Sequence, residues 1–132
     1  MPEKVTHFTN KMRHTDKEKQ RLKPVAFIHP NKSEISVVDI DLEIKQKNAA
    51  ELIFNIGNLI YTGDSKVKAR GDMNVSDIEA ITYGLDNIKC FLEFAPTKNI
   101  PKHYNIKPLL EDLEFANICS YNLSRISKLV IK

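Results

Sequence analysis

Apolar residues recur with two periods along this chain, and each change of period marks a new element. From Ser33 to Asp41 the chain holds Ile35, Val37, Val38 and Ile40. This β-branched density reads as the clearest strand, with Asp39 and Asp41 at its end as acids facing solvent. Val25-Ala-Phe-Ile28 reads as a shorter strand, closed by Pro30-Asn31, and residues 29–33 have hairpin length. Val5-Thr-His-Phe8 alternates and reads as an edge strand. The segment from Lys11 to Arg21 is polar throughout: a loop, or one solvated helical turn opening at a Thr15 or Asp16 cap. Pro24 disfavours helix at Lys23 and pushes it to an extended conformation.

The period then lengthens. Ala49, Leu52, Ile53, Ile56, Leu59 and Ile60 recur at three- and four-residue spacing, which predicts a helix over 44–61. Asn48 is placed to cap its core section, and Thr62-Gly63-Asp64 to end it. Gly57 inside this helix costs about 1 kcal/mol relative to Ala, which implies close packing against another element. Residues 65–73 read as extended. Asn74 to Asp77 is a turn or helix start, and Asp77 to Ile81 a brief helix or a strand. Ile88 to Ala95 is a strand, Pro96 and Pro101 bound a loop, and His103 to Ile106 is short and extended. Leu109, Leu113, Ala116, Leu123 and Ile126 share one face of a second helix over 109–127, and Leu129 to Ile131 closes the chain as a strand. This order predicts an α+β domain, a mostly antiparallel sheet with two main helices packed on one face.

Composition bounds this picture. A chain of 132 residues, 42% hydrophobic and 28% charged, fits one domain over 1–132 with ordinary globular values. The charge is uneven. Residues 1–24 carry seven cations against three carboxylates, +4 of a net +3, so the remainder stands at −1. Residues 1–21 therefore read as a basic N-terminal arm free to flex, and as a candidate for phosphate contact. Two cysteines, Cys90 and Cys119, without a CxxC motif are too few for a zinc site and read as small core residues. No signal peptide or membrane-length apolar run is visible, so a cytoplasmic setting without membrane association is expected.

The candidate chemistry lies in three short segments. His103 in a Pro-flanked stretch suits a general acid or base. Asn105, two residues on, shares its side of an extended strand. Arg70 offers a planar fork for phosphate or carboxylate, and Gly71 lets backbone approach a ligand. Asp72 is read either as the partner that orients His103 or a water, or as the surface ion-pair partner of Arg70. Lys23, held extended before Pro24, is read as a ligand-facing cation or as a lysine lying along the mouth of a strand. His7, His14, His29 and His103 show no short metal-ligand spacing, so no metal is expected and no cofactor is assigned. Walker-type loops, GxGxxG and GxSxG elbows are absent from the sequence.

Taken in order, several segments resemble a group of small uncharacterised bacterial proteins. They are Leu22-Lys-Pro-Val-Ala-Phe-Ile28, the strand ending Ile40-Asp41, Ile56-Gly57, Lys68-Ala-Arg-Gly-Asp72, His103-Tyr-Asn-Ile106 and the terminal Leu123 to Ile131. The resemblance implies a compact bacterial domain and groups Lys23, Arg70, Asp72, His103 and Asn105 as one site.

Three functions are expected of such a chain. The first is a binding or accessory protein holding a nucleotide or nucleic acid in a Lys/Arg/His-lined cleft. The second is a small enzyme on a phosphodiester or nucleotide, with His103 and Asp72 catalytic. The third is a protein-interaction subunit of immunity, antitoxin or defence type, favoured if Phe54 and Leu42 are exposed.

Overall fold

Alternate residues of a strand face opposite ways, so ladder register assigns every side chain to one side of a sheet. A computed structural model describes residues 1–28, 35–61, 65–109 and 111–132. Its main sheet has six strands: β1 Lys4–Thr9, β2 Ile35–Asp39, β3 Ala69–Asn74, β4 Phe91–Phe94, β5 His103–Lys107 and β6 Lys128–Ile131. Their order across the sheet is β6-β3-β1-β2-β5-β4, and every neighbouring pair is antiparallel. With the helices α1 Ala49–Asn58, α2 Val75–Glu79 and α3 Leu113–Ile126, the chain is an α+β domain with two long helices.

The two long helices lie on opposite faces of the sheet, where the sequence placed both on one. Val5, Val37, Ala69, Met73, Leu92, Ile106 and Leu129 point to the first face and pack with Phe115, Cys119 and Leu123 of α3 and with Val75 and Ile78 of α2. Phe8 and Val38 point to the second face and pack with Ile53 and Phe54 of α1. The physical reason is that β1 is buried on both sides, so each side needs its own cover.

The start of the chain is where the sequence reading departs furthest from the structure. Lys4–Thr9 is a central strand, neither an edge nor part of a detached arm, and Val5 and Thr6 are fully buried. Asp41 fixes its beginning, with its carboxylate accepting from Glu3 N at 2.9 Å and Lys4 N at 2.8 Å. Asp41 is therefore tied to the fold and not simply a solvated strand end. The polar stretch that follows forms a small ribbon, Thr15–Asp16 against Arg21–Leu22.

Pro24–Phe27 is a 3-10 turn where a strand was expected. Proline suits the first position of such a turn because its φ is set and its missing N–H is not needed there. Ala26 N then donates to Lys23 O at 3.0 Å, and Ala26 and Phe27 are buried in the first core. With no strand at Val25 to Ile28 there is no hairpin to β2, which pairs with β1 and β5. Residues 29–33 of the expected hairpin connection lie outside the described residues.

Helix α1 is shorter than its apolar pattern. Glu43–Lys45 forms a separate 3-10 turn, and an extended Gln46 divides the two. Asn48 occupies the N-cap position without a side-chain cap bond. The expected stop at Thr62-Gly63-Asp64 lies outside the described residues. Helix α3 starts later than the pattern suggests, because Asp112 caps it by accepting from Glu114 N at 2.8 Å and Phe115 N at 3.4 Å. Among the described residues, no helix is long and apolar enough to cross a membrane.

Helix α1 crosses the strands and does not follow them. Phe54 lies 4.9 Å from the Arg70 guanidinium on β3, and Gly57 meets Phe8 on β1. Leu59 and Ile60, just past the helix, line one cavity with Ser36 on β2 and His103 on β5. A Cβ on Gly57 would stand 2.7 Å and 2.8 Å from carbons of the Phe8 ring, which is the close packing that the sequence implied. Gly57→Ala is accordingly expected to destabilise the fold, its overpacking cost of about 2–3 kcal/mol exceeding a helix-propensity gain of about 1 kcal/mol. Urea unfolding measures it, and a midpoint equal to or above wild type contradicts the packing argument.

Candidate functional site

The second face of the sheet carries four of the six residues singled out in the sequence. Arg70 and Asp72 point to it from β3, and His103 and Asn105 from β5. Strands β1 and β2 separate the two pairs. Three inter-strand steps put them about 14 Å apart, with Phe8, Val38 and α1 filling the space between. Gly71 faces the other side of the sheet, where an added Cβ would stand 2.7 Å from Leu22 Cδ1. Its role there is to admit a fully buried leucine. Lys23 is exposed and extended before the turn that packs on the first face. The six therefore do not share one cleft.

Arg70 and Asp72 answer each other. Arg70 Nε donates to Asp72 Oδ1 at 3.0 Å and Nη2 to Oδ2 at 3.5 Å, with both residues more than nine-tenths buried. Phe54 of α1 lies against the guanidinium, and Arg70 Nη1 is buried without a hydrogen-bond partner. The pair is a sealed ion pair rather than the surface pair that the spacing suggested. Its carboxylate is committed to Arg70 and does not orient His103.

His103 is held differently. Its Nδ1 donates to Ala95 O at 2.8 Å, which in the neutral ring leaves the lone pair on Nε2. The ring lines a cavity of about 250 Å³ together with Ser36, Leu59, Ile60, Thr97, Asn99 and Ile100. Ser36 and His103 form its floor from neighbouring strands β2 and β5. The tail of α1 supplies one apolar wall. The other wall is a turn in which Thr97 N donates to Ile100 O and Ile100 N to Thr97 Oγ1, both at 3.0 Å. Among the described residues the lining contains hydroxyl, amide and imidazole groups and no carboxylate. Asn105 lies one pleat along from His103, opposite Ser36 and Glu93. Its Oδ1 is buried and unpartnered, an omission that typically costs about 1–3 kcal/mol.

His7 braces this floor from the opposite face. Its Nδ1 lies 2.7 Å from Ser36 O and its Nε2 2.7 Å from Ala26 O. Carbonyl oxygens only accept, so both contacts act as hydrogen bonds together when both ring nitrogens carry protons. The ring also stacks on Phe27, with centroids 4.7 Å apart. His14 sits elsewhere, beside Lys11, Arg13 and Lys23. Burial first, and then these three positive charges, hold its imidazole below the ordinary value. Among the described residues, no three His, Cys, Asp or Glu side chains gather as a metal site, and His29 lies outside those residues. Of the two residues that bear on a docking surface, Phe54 is buried and Leu42 is exposed.

Sequence reasoning missed Ser36, Thr97 and Asn99. A serine inside a β-branched strand and a Pro-bounded loop just before His103 were visible signals. The pairing of Ser36 with Asn105, which brings them together, is non-local and left no trace in the sequence. No family model, curated protein or solved structure matches the chain, so its function is argued from the chemistry of the site.

The sealed pair yields a test. Asp72→Ala is expected to cost about 3–5 kcal/mol by stranding a buried guanidinium, while the double change Arg70→Met with Asp72→Leu is close to neutral. Denaturant unfolding of both variants decides it. A mild loss in Asp72→Ala is the result that contradicts a desolvated ion pair.

Proposed function

We propose that the chain is a small cytoplasmic binding or accessory protein that holds a phosphate-bearing small molecule in the cavity over Ser36 and His103. The observation that carries this reading is the lining: Ser36, Thr97, Asn99 and His103 face a space that, among the described residues, no carboxylate lines. An anion needs donors and the absence of like charge, and both conditions are met without a fixed cation. The imidazole supplies the charge when protonated, since Nδ1 already donates to Ala95 O and Nε2 then donates to the ligand. Leu59, Ile60 and Ile100 offer an apolar wall for the rest of the molecule. The cavity, at about 250 Å³, suits a small ligand such as a mononucleotide. Lys23 and Arg70 take no part. The reading thus narrows a Lys/Arg/His cleft to one histidine with hydroxyl and amide donors.

An enzymatic reading keeps His103 as acid or base but has, among the described residues, no second titratable group on the cavity wall. Binding is therefore the better supported function.

A second reading, contact with nucleic acid, is favoured by the backbone of His14, which donates to Lys11 O at 3.0 Å and accepts from Lys23 N at 2.7 Å and so sets the cations Lys11, Arg13 and Lys23 close together. Association there weakens steeply as salt rises, and Lys11→Ala with Arg13→Ala reduces it, whereas the cavity is unaffected by these changes.

Calorimetric titration with nucleoside monophosphates, the matching nucleosides and inorganic phosphate tests the main reading. The monophosphates are expected to bind saturably, with proton uptake visible as a dependence of the heat on the buffer. His103→Ala and Ser36→Ala each weaken binding about tenfold, equal to about 1.4 kcal/mol. Absence of saturable binding by every probe, or binding that both variants leave unchanged, ends the proposal.

A further inference from the structure

Cys90 and Cys119 take no part in the cavity, yet they are the two most reactive side chains in the first core. Cys90 lies between the two-residue strand Ile88–Lys89 and β4, and Cys119 lies within α3. Both are 2% exposed, and their Sγ atoms are 4.0 Å apart although the residues are 29 positions apart in the chain. A disulfide needs a sulfur separation of about 2.0 Å. The remaining gap is a small one for two side chains already in contact. The pair joins the middle of α3 to the start of β4, an outer strand with one neighbour in the sheet, β5.

We propose that Cys90 and Cys119 are a site of reversible oxidation to an intramolecular disulfide, which staples α3 to the outer strand β4. The oxidant is a low-molecular-weight disulfide of the glutathione class. The Cys90 thiolate attacks one sulfur of the oxidant and forms a mixed disulfide, expelling one small thiolate. Cys119 then loses its proton and attacks the Cys90 sulfur, expelling the second. The protein gives up two electrons and two protons, and the oxidant leaves as two thiols. Either sulfur can donate in the contact between them; that contact lowers the Cys90 pKa, while it and burial raise that of Cys119. Cys90 is taken as the attacking sulfur and Cys119 as the resolving one. The bond closes a loop from 90 to 119, and its constraint on the unfolded chain stabilises the fold.

The test uses the whole wild-type chain and is independent of any ligand. Folded protein is incubated with oxidised glutathione, both in buffer and in urea below the unfolding midpoint, then acid-quenched, alkylated under denaturing conditions and weighed intact. The expected product has lost two hydrogens, carries no alkyl group or glutathione, and yields one linked peptide pair containing Cys90 and Cys119. Its thermal midpoint is raised and returns to the starting value on reduction. The variant Cys119→Ser is expected to accumulate a stable glutathione adduct on Cys90. Two alkylated thiols under both conditions, or separate glutathione adducts on the two cysteines of the wild type without a crosslink, overturns the proposal.

Discussion

Burial of β1 on both faces and along both edges is the constraint on which the rest of the structure depends. All six of its residues pair with β3 on one side, and Val5 and Thr6 pair with β2 on the other. Val5 enters one core and Phe8 the other. The polar residues of the strand are satisfied in place: Thr6 Oγ1 donates to Gly71 O at 3.2 Å, and Thr9 Oγ1 accepts from Lys11 N at 3.2 Å. A buried hydroxyl with a partner costs little, whereas a dry one costs about 1–3 kcal/mol. These bonds allow a strand of mixed polarity to occupy the middle of a sheet. They also force the two-sided architecture, because neither face of β1 tolerates water.

His7 extends this constraint from fold to site. The pairing of β1 with β2 stops at Thr6 opposite Val38, and the β2 carbonyl of Ser36, two residues back, meets the His7 ring. The same ring meets Ala26 O in the turn Pro24–Phe27. One side chain therefore fixes three elements, including the residue whose side chain lines the cavity on the far face. Leu22, just before that turn, is held in a comparable way. Ser124 Oγ donates to Leu22 O at 2.6 Å, and Leu22 N donates to Ser127 Oγ at 3.1 Å. Gly71 leaves room for its side chain. The polar segment from Lys11 to Arg21 is thus anchored at both ends by buried contacts of its neighbours, which is why it does not behave as a separate arm.

What was legible in the sequence was local. The β-branched run of β2, the apolar stripes of α1 and α3, and the cost of Gly57 all depend on neighbours three or four positions away or less. Each corresponds to an element or contact in the structure. The two-residue spacings were legible too: Arg70 shares a face with Asp72, and His103 with Asn105, because a strand has period two. The order of the strands was not legible. Thr6, His7 and Thr9 look like solvent-facing positions until their distant partners are known, so β1 read as an edge. The separation of Arg70 from His103 follows from the two strands laid between β3 and β5, which no short motif encodes. At Val25 to Ile28, strand propensity yielded to Pro24 and to the burial of Ala26 and Phe27 under α3.

The size of α1 then decides where chemistry can occur on the second face. Six strands at about 4.8 Å spacing make a sheet about 24 Å wide, and a ten-residue helix is about 15 Å long. Lying across the strands, α1 covers β3, β1 and β2 and ends before the face is closed. Under its body, Arg70 and Asp72 are sealed together and lost to solvent. Beyond its last turn, Leu59 and Ile60 become a wall, the Thr97–Ile100 turn a second, and Ser36 with His103 a floor. A longer helix closes that space with side chains, and a shorter one leaves the buried ion pair wet. The charged pair that stood out most in the sequence is therefore structural, while the open place went to a histidine and an unremarked serine at the limit of the helix's reach.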